Sequence, residues 1–303
     1  MNLKRFNEIT IIGPGLIGAS LGLALKANKI AKKIVGIDTS KINIKHAIKN
    51  KSIDEGRLII DERIKLSEII FVCTPVSTID RIVRNVFPFL TENSIITDVG
   101  SVKNCFSKKT YSLFKKKACL IPGHPIAGTE FSGARYAQKD LFKNKWCIIL
   151  NNGNKKKIKK IEIFWKKLGS KIIFMNAIEH DKIFSITSHL PHLIAYNLVK
   201  TATDFQRKNK KNIIKYSAGG LRDFSRTAAS NEIMWRDIFF NNKDNIMSSI
   251  NIFIKNLNNL KKLIKKENNK NILKILKDTK KVRRQIIDLK QDISKPNFGR
   301  DIF

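Results

Sequence analysis

The feature that most constrains the fold of this chain is a glycine pattern that follows a short apolar run. Residues 9–12 form a β-branched run of the kind found in buried parallel strands. Three glycines follow at the spacing G-x-G-x-x-G, namely Gly13, Gly15 and Gly18. A helical pattern comes next, and a second apolar run at residues 33–37 ends in Asp38. Strand, glycine turn, helix and strand in this order predict a βαβ unit that binds a dinucleotide.

Each glycine has its own mechanical role in such a motif. Gly13 permits the tight turn, Gly15 lets the backbone approach a pyrophosphate, and Gly18 lets the helix lie close to the strand. The helix N-terminus offers free N–H groups and a positive dipole end to a phosphate pair. Asp38 is placed to accept hydrogen bonds from the ribose hydroxyls of NAD, and its charge disfavours the 2′-phosphate of NADP. The alternative is a glycine-rich turn in another α/β fold.

Strands and helices alternate from residue 6 to about residue 175. Apolar runs predict strands at residues 66–75, 94–99, 117–122, 146–150 and 171–175, and helical patterns occur at 41–50, 76–90 and 155–168. This alternation predicts a Rossmann-type doubly wound α/β domain over residues 1–175. The run 66–75 ends at the edge of the sheet where ligands bind in open α/β folds. The predicted cofactor-binding residues are Gly13, Gly15, Leu16, Ile17, Gly18, Asp38, Thr74 and Pro75.

The pattern becomes helical after residue 176. Long helical patterns cover residues 181–205, 231–266 and 271–289, and residues 291–303 are expected to form a frayed tail. We therefore predict an all-α domain over residues 176–303. Because such apolar helices need a partner face, we expect a homodimer built through them.

The formal net charge of +34 is compatible with a polyanionic partner. The alternative is a lysine-rich surface that results from biased codon usage, since Asn and Ile are also abundant. The basic residues are spread along the chain without interleaved aromatic residues that could stack on bases. We therefore predict a small-molecule substrate and no specific nucleic acid partner.

The N-terminus and the cysteines indicate where in the cell the protein resides. The first residues, MNLKRFNE, lack the apolar core of a signal peptide, and no apolar stretch suits a membrane span. The four cysteines are not spaced as a metal knuckle or a redox pair. We predict reduced thiols and a cytoplasmic protein that does not contact a membrane.

Candidate catalytic groups follow two of the predicted strands. His124 comes after the strand predicted at 117–122, where an imidazole can accept a proton beside a nicotinamide. The alternative is a turn histidine fixed by Pro125. Ser101 follows the neighbouring strand and can orient a histidine or a substrate oxygen, or can cap the next helix. Lys103 is either a second polar group of this site or a solvated lysine.

The helical part adds further candidates. His189 and His192 are three residues apart, with Pro191 between them predicting a kink. Two histidines without a third ligand do not make a metal site, so we predict no metal. Arg222 and Arg226 are one helical turn apart, and a guanidinium is the usual partner of a carboxylate. At least one of these arginines is expected to be structural.

Five motifs in order along the chain resemble one family. They are GPGLIGASLG, DVGSVK, GHPIAGTEFSG, SHLPH and GGLRDFSRTAASNEIMWRDIF. Together they resemble the prephenate/arogenate dehydrogenases of tyrosine biosynthesis over nearly the whole chain. The resemblance implies a nucleotide-binding domain followed by a helical dimerisation domain. No chorismate mutase pattern precedes residue 6 and no regulatory domain pattern follows the helices, so we expect a minimal, monofunctional enzyme.

The resemblance further implies a reaction and a set of roles. The reaction is the NAD-dependent oxidative decarboxylation of prephenate to 4-hydroxyphenylpyruvate, or the equivalent reaction of arogenate to give tyrosine. His124 takes the proton of the C4 hydroxyl, Ser101 orients His124 and the substrate, and Arg226 holds a substrate carboxylate. Arg222 is the alternative carboxylate clamp. The residues implied at the pocket or its rim are His192, Thr129 and Glu130.

Three other interpretations compete with this one. A β-hydroxyacid dehydrogenase shares the two-domain plan but uses a lysine for proton transfer, whereas here the histidine motif takes that place. A basic nucleic-acid-binding protein would show steeply salt-dependent binding and no dehydrogenase activity. A catalytically silent NAD sensor is disfavoured by the presence of His124, Ser101 and Arg226 together.

Overall fold

A parallel sheet forms the centre of the N-terminal part. The structure, a computed structural model, describes residues 5–115, 119–129, 131–151 and 153–289. Within them, six parallel strands lie in the order β3-β2-β1-β4-β5-β6. The strands are β1 (Phe6–Ile12), β2 (Ala31–Ile37), β3 (Glu55–Arg57), β4 (Ile69–Val72), β5 (Ile95–Asp98) and β6 (Cys119–Leu120). The order reverses beside β1, which opens a crevice at the carboxyl ends and confirms the predicted Rossmann-type fold.

Helices cover both faces of this sheet. They are α1 (Leu16–Ala27), α2 (Lys41–Lys49), α3 (Val76–Val86), α4 (Lys108–Phe114) and α5 (Lys155–Lys167). Every residue of β4 and β5 is buried, as expected for strands covered on two sides. One apolar cluster includes Leu21, Phe71 and Trp165 on one face, and another includes Val72 and Val83 on the other.

A second sheet of three strands follows and corrects one prediction. It contains β7 (Gly123–Pro125), β8 (Trp146–Leu150) and β9 (Lys171–Met175), with β7 antiparallel and β9 parallel to β8. The strand predicted at residues 117–122 is shorter, Cys119–Leu120, and residues 116–118 lie outside the described residues. Ile121 still donates to the carbonyl of Ile96 at 2.9 Å, but Pro122 has no N–H with which to continue that ladder. His124 therefore lies within β7 and not directly after a strand of the parallel sheet.

The helical part differs from the sequence prediction at two breaks. Its helices are α6 (Ala177–Phe184), α7 (Leu190–Asn209), α8 (Gly219–Thr227), α9 (Glu232–Asn241), α10 (Lys243–Lys265) and α11 (Asn269–Asp288). A π-helical turn, Ser185–His189, joins α6 to α7, and Pro191 lies in the first turn of α7, where its missing N–H is tolerated. The single helix predicted within 231–266 is two helices with Asn242 between them. The buried side chain of Asn242 bonds to the carbonyl oxygen of Asp181 in α6 and to His189 in the π-helical turn.

The chain divides into two compact units. The first extends to Ile246 and contains both sheets and α1 to α9, and the second begins at Met247 and contains most of α10 and all of α11. The boundary after residue 175 stays a sequence-based prediction of where the fold class changes. The frayed tail predicted at 291–303 lies outside the described residues. Among the helices that the structure describes, none combines the length and the hydropathy of a membrane span.

Candidate active site

The glycine turn combines close packing at two glycines with open space at the third. Gly13 has a φ of +83°, and a Cβ there would lie 2.7 Å from Thr74 Cγ2. A Cβ on Gly18 would lie 2.5 Å from the carbonyl oxygen of Gly13. By contrast, a Cβ on Gly15 would meet no atom within 4 Å, so the space in front of the helix is open. The packing of Gly13 and Gly18 and the free space at Gly15 fit the three roles predicted from the sequence.

The first turn of α1 is ready to receive an anion. Gly15 is the N-cap, no side chain caps the helix, and no acidic residue lies in its first turn. Leu16 and Ile17 are half-buried and open the helix, where backbone N–H groups have no intrahelical acceptor. Thr74 and Pro75 lie at the end of β4 beside Gly13, so the predicted cofactor residues of two strands meet at one edge. These residues can hold the diphosphate of a dinucleotide.

Asp38 follows β2 directly, and two hydrogen bonds hold its carboxylate in place. Its Oδ1 accepts a hydrogen bond from the backbone N–H of Ser40 at 2.8 Å, and its Oδ2 accepts one from Asn43 Nδ2 at 3.1 Å. The side chain is only half-buried, so each oxygen keeps a lone pair for a ribose hydroxyl. This fixed carboxylate suits the adenosine end of NAD better than the 2′-phosphate of NADP.

His124 is the terminal member of a buried row of three side chains. Its Nδ1 lies 2.8 Å from Nε2 of His180, and Nδ1 of His180 lies 2.7 Å from Oδ1 of Asp181. His180 and Asp181 are buried in α6, while His124 in β7 is 8% exposed. Phe184, on the next turn of α6, packs against both rings. The row joins the second sheet to the helical part through its side chains.

A buried ion pair between Lys103 and Asp98 holds the strand that carries His124. Lys103 and Asp98 are both 0% exposed, and Lys103 Nζ donates to Asp98 Oδ2 and to the carbonyl oxygen of Gly123. Asp98 also accepts from the backbone N–H of Gly123 at 3.2 Å. Lys103 is therefore not the solvated lysine that the sequence left possible. It ties the end of β5 to β7 immediately before His124.

The environment keeps the imidazole of His124 neutral. Burial lowers the pKa of His124 well below its usual value of 6.5, and the nearby His180, Lys103 and His189 lower it further. Burial also lowers the pKa of His180, although its hydrogen bond to Asp181 opposes this change. A neutral imidazole can accept a proton, whereas an imidazolium cannot.

Two other predicted site residues, Ser101 and Thr129, lie in the loops after β5 and β7. Ser101 is half-buried in the loop after β5; it does not cap α4, whose N-cap is Ser107. In the part of the chain that the structure describes, no hydrogen bond joins Ser101 to His124, whose Nδ1 bonds to His180 instead. Thr129 is half-buried and its Oγ1 accepts from the backbone N–H of Phe131 at 3.2 Å. The predicted rim residue Glu130 lies outside the described residues.

His192 is held by α9 and by the π-helical turn. Its ring stacks on Trp235 with centroids 3.7 Å apart, and its Nδ1 donates to the carbonyl oxygen of Ser188 at 3.0 Å. Trp235 in turn packs with Val76 at the start of α3. A hydrogen bond from Ser77 to Asp237 further joins α3 to α9. His192 is thus placed near the carboxyl edge of the sheet, where α3 begins.

Arg222 and Arg226 are both on α8, one turn apart as predicted. Both are exposed, and neither forms an ion pair with a residue that the structure describes. Helix α8 packs against α7, the helix whose first turn carries His192. Arg236, by contrast, pairs with Asp237 at 2.8 Å. The geometry leaves both guanidinium groups of α8 available to an anion.

Sequence reasoning missed His180, Asp181 and Asp98. His180 and Asp181 stand in a helical stretch that carries no glycine or proline landmark, and nothing local aligns them with His124, more than fifty residues earlier. The signal that the sequence did contain is the adjacent pair itself, since a histidine beside an aspartate in an apolar helix needs a hydrogen-bonded partner. Asp98 was part of the motif DVGSVK but had been given no role.

The comparisons with known proteins agree with this geometry. A family model described as prephenate dehydrogenase, nucleotide-binding domain, matches residues 21–174, and one described as prephenate dehydrogenase, dimerization domain, matches residues 176–278. A cyclohexadienyl dehydrogenase of Zymomonas mobilis is 31% identical over 92% of this chain and 95% of its own length. A prephenate dehydrogenase of Bacillus subtilis is 30% identical over 91% of this chain and 75% of its own length.

A solved structure supports the same assignment at the level of the fold. The crystal structure of prephenate dehydrogenase from Aquifex aeolicus in complex with hydroxyphenyl propionate and NAD⁺ superposes with a TM-score of 0.86. It is 34% identical to this chain and covers 94% of this chain and all of its own. With a nucleotide-binding crevice, a buried histidine beside it and matches along nearly the whole length, the chain belongs to the prephenate dehydrogenase family.

Proposed function

We propose that this chain catalyses the NAD-dependent oxidative decarboxylation of prephenate to 4-hydroxyphenylpyruvate. The observation that carries the proposal is the buried imidazole of His124, which directs Nδ1 at His180 and leaves Nε2 for a substrate hydroxyl. Membership of the family makes prephenate the first substrate to test. The Aquifex aeolicus relative was crystallised with NAD⁺ and hydroxyphenyl propionate, a compound with a phenol ring like that of the expected product.

The chemistry needs one proton acceptor and one oriented substrate. NAD⁺, when bound, accepts the hydride that leaves C4 of the ring with its electron pair. His124 Nε2 takes the proton of the C4 hydroxyl, so that the O–H electron pair forms a carbonyl. The bond from C1 to the carboxylate then breaks, its electrons complete the aromatic ring, and CO₂ leaves. His124 returns its proton to the phenolic oxygen, so the protein ends the cycle unchanged.

Two further groups complete the proposed cofactor site. The open space at Gly15 and the uncapped first turn of α1 favour a diphosphate, and the fixed carboxylate of Asp38 favours an unphosphorylated ribose. Leu16, Ile17, Thr74 and Pro75 line this edge. We therefore assign NAD, not NADP, as the preferred cofactor.

The substrate carries two carboxylates, and the arginines of α8 are the proposed partners. Arg226 is assigned as the clamp and Arg222 as the alternative, since both are exposed and without an ion pair in the described part of the chain. His192, stacked on Trp235, and Thr129 are assigned to the pocket, and Ser101 to the orientation of the C4 hydroxyl. Glu130 keeps its proposed place at the rim.

Arogenate is the second candidate substrate. It differs from prephenate only by an amino group in place of the side-chain ketone. The 31% identity to a cyclohexadienyl dehydrogenase supports a dual specificity as the alternative. The ketone or ammonium group belongs to the side chain on C1, whereas His124 acts on the hydroxyl of C4 at the opposite side of the ring. The proposed chemistry is therefore the same for both substrates.

The decisive experiment is a crossed assay with purified protein. Formation of NADH or NADPH is followed by absorbance in four mixtures that combine NAD⁺ or NADP⁺ with prephenate or arogenate. Turnover of prephenate with NAD⁺ supports the proposal, and the arogenate mixtures measure specificity. A folded protein that binds NAD⁺ but is inactive in all four mixtures would refute it.

We also infer that the active form is a homodimer. The second family domain is described as a dimerization domain. An apolar groove of about 570 Å³ on α7 and α8 is lined by Leu198, Phe205, Leu221 and Phe224. Apolar side chains left exposed in this way need a partner surface. Light scattering should give a dimer for the wild type, a monomer for Phe205→Asp, and a dimer for the matched control Ile42→Asp, an exposed apolar residue of α2.

A further inference from the structure

We propose that His180 and Asp181 are positioning residues that fix the tautomer of His124, so that its Nε2 always faces the substrate as a proton acceptor. The inference extends the proposed function of His124 and rests on it. It assigns a role to two buried side chains of α6 that do not themselves touch the reacting atoms.

The hydrogen-bond direction follows from the end of the row. A carboxylate can only accept, so His180 Nδ1, 2.7 Å from Asp181 Oδ1, carries a proton. In a neutral imidazole the other nitrogen is then bare, so His180 Nε2 accepts from His124 Nδ1 at 2.8 Å. By the same rule His124 Nε2 carries no proton. The carboxylate of Asp181 therefore determines the tautomer of His124 through His180.

The hydrogen bonds of the row also give a protonated His124 a partner. His180 and Asp181 are both buried, and His124 is 8% exposed. Before the reaction, burial keeps both rings neutral. When His124 takes the hydroxyl proton, its Nδ1–H keeps the hydrogen bond to His180, whose other ring nitrogen bonds to Asp181. A transient imidazolium in a buried site is costly unless its N–H groups already have hydrogen-bond acceptors.

The carboxylate of Asp181 is held in place independently of the histidines. Its Oδ1 accepts from the backbone N–H of Lys103 at 2.7 Å, and its Oδ2 accepts from that of Asn104 at 2.8 Å. These N–H groups belong to the loop after β5, which also carries Ser101. The carboxylate thus keeps its position when His180 is replaced. Variants of His180 consequently test the row without removing the anchor.

Histidine ¹⁵N NMR of the full-length protein reads the tautomer directly. The wild type should show His124 with its proton on Nδ1 and a bare Nε2. His180→Leu removes the acceptor, so a proton on Nδ1 of His124 would be buried without a partner and should move to Nε2. His180→Gln can offer its Oε1 to His124 Nδ1 and should keep the wild-type tautomer. The spectrum of His46→Gln, a variant in α2 far along the chain, is the control and should leave the His124 signals unchanged.

Kinetics then test whether the tautomer matters. We expect His180→Leu to lower kcat by about 10- to 100-fold, because Nε2 would present a proton where it must accept one. The KM values for NAD⁺ and prephenate should change less than about threefold, since His180 touches neither. His180→Gln should recover most of the lost kcat, and His46→Gln should match the wild type.

Several outcomes would overturn the inference. They are a wild-type His124 protonated on Nε2, a His180→Leu variant with unchanged tautomer and kcat, and a His180→Gln variant with the correct tautomer but the low kcat of the leucine variant. Failure of the proposed function looks different. In that case the wild type is inactive with every substrate, while the NMR experiment still reports the tautomer of His124.

Discussion

Replacement by alanine is expected to have opposite effects at Gly15 and Gly18, the two glycines near the start of α1. An alanine Cβ at Gly18 would lie 2.5 Å from the carbonyl oxygen of Gly13 and 2.9 Å from Ile11 Cγ2. An alanine Cβ at Gly15 would meet nothing within 4 Å. Gly18→Ala is therefore expected to disturb packing between helix and strand. Gly15→Ala is expected to leave packing intact and to place a methyl group in the proposed pyrophosphate space.

The magnitude for Gly18→Ala follows from the overlap. Ordinary van der Waals contact starts at 3.4 Å, so the new methyl group intrudes by about 0.9 Å on a backbone oxygen. The glycine turn cannot easily retreat, because Gly13 itself lies against Thr74 and Cys73. Overpacking of this kind costs about 1–3 kcal/mol, and the better helix propensity of alanine offsets about 1 kcal/mol. After this offset we expect a net loss of up to about 2 kcal/mol in the free energy of unfolding.

Urea denaturation and NAD⁺ titration separate the two effects. Gly18→Ala should lower the free energy of unfolding of the cofactor-free protein. Gly15→Ala should change it by less than about 0.5 kcal/mol but weaken NAD⁺ binding by at least about tenfold. Wild-type stability in Gly18→Ala, together with wild-type NAD⁺ affinity in Gly15→Ala, would refute the reasoning from the glycine geometry.

The remaining predictions concern the proposed site. His124→Asn should lower kcat by about 10²- to 10⁴-fold with an unchanged Kd for NAD⁺, and wild-type turnover would rule out the proposed base. Because burial lowers the pKa of His124, wild-type kcat/KM should remain high at pH 6.5 and decline only below it; a decline that starts near neutrality would contradict this. Arg226→Gln should raise the KM for prephenate about tenfold or more and Arg222→Gln much less, and the reverse would move the clamp to Arg222. Asp38→Ser should raise kcat/KM for NADP⁺ relative to NAD⁺, and an unchanged ratio would remove Asp38 from cofactor selection.

Local patterns predicted the nucleotide-binding part well because its constraints are local. The close approach at Gly18 and the open space at Gly15 follow from a spacing of a few residues. Gly22 is the instructive exception on the same helix. A Cβ there would lie 2.0 Å from the carbonyl oxygen of Ser52, a contact across some thirty residues that no motif announces. The tertiary packing of α1 therefore needs a fourth glycine that the sequence pattern left unexplained.

The strands near His124 show that apolar runs do not always predict where a strand begins and ends. The run at 117–122 predicts one strand, yet the chain leaves the parallel sheet at Pro122, whose carbonyl accepts from Leu150 of the second sheet at 2.9 Å. The short strand β3 was missed for a related reason. Its residues Glu55–Arg57 include two charged side chains and no apolar run, and only pairing with β2 makes them a strand. Backbone hydrogen bonding, not side-chain pattern, decides both cases.

The burial of Lys103 and the hydrogen-bonded row that ends at His124 have the same physical explanation. A lysine in a loop is normally solvated, but here Asp98 and the carbonyl of Gly123 replace its water, so it is fully buried. The backbone N–H of that same lysine binds Asp181, which orients His180 and through it His124. The loop after β5, the strand β7 and the helix α6 thus position one another through polar groups that each need the others to be buried. Since none of the three segments can satisfy its polar groups alone, the site forms only when all three have packed together.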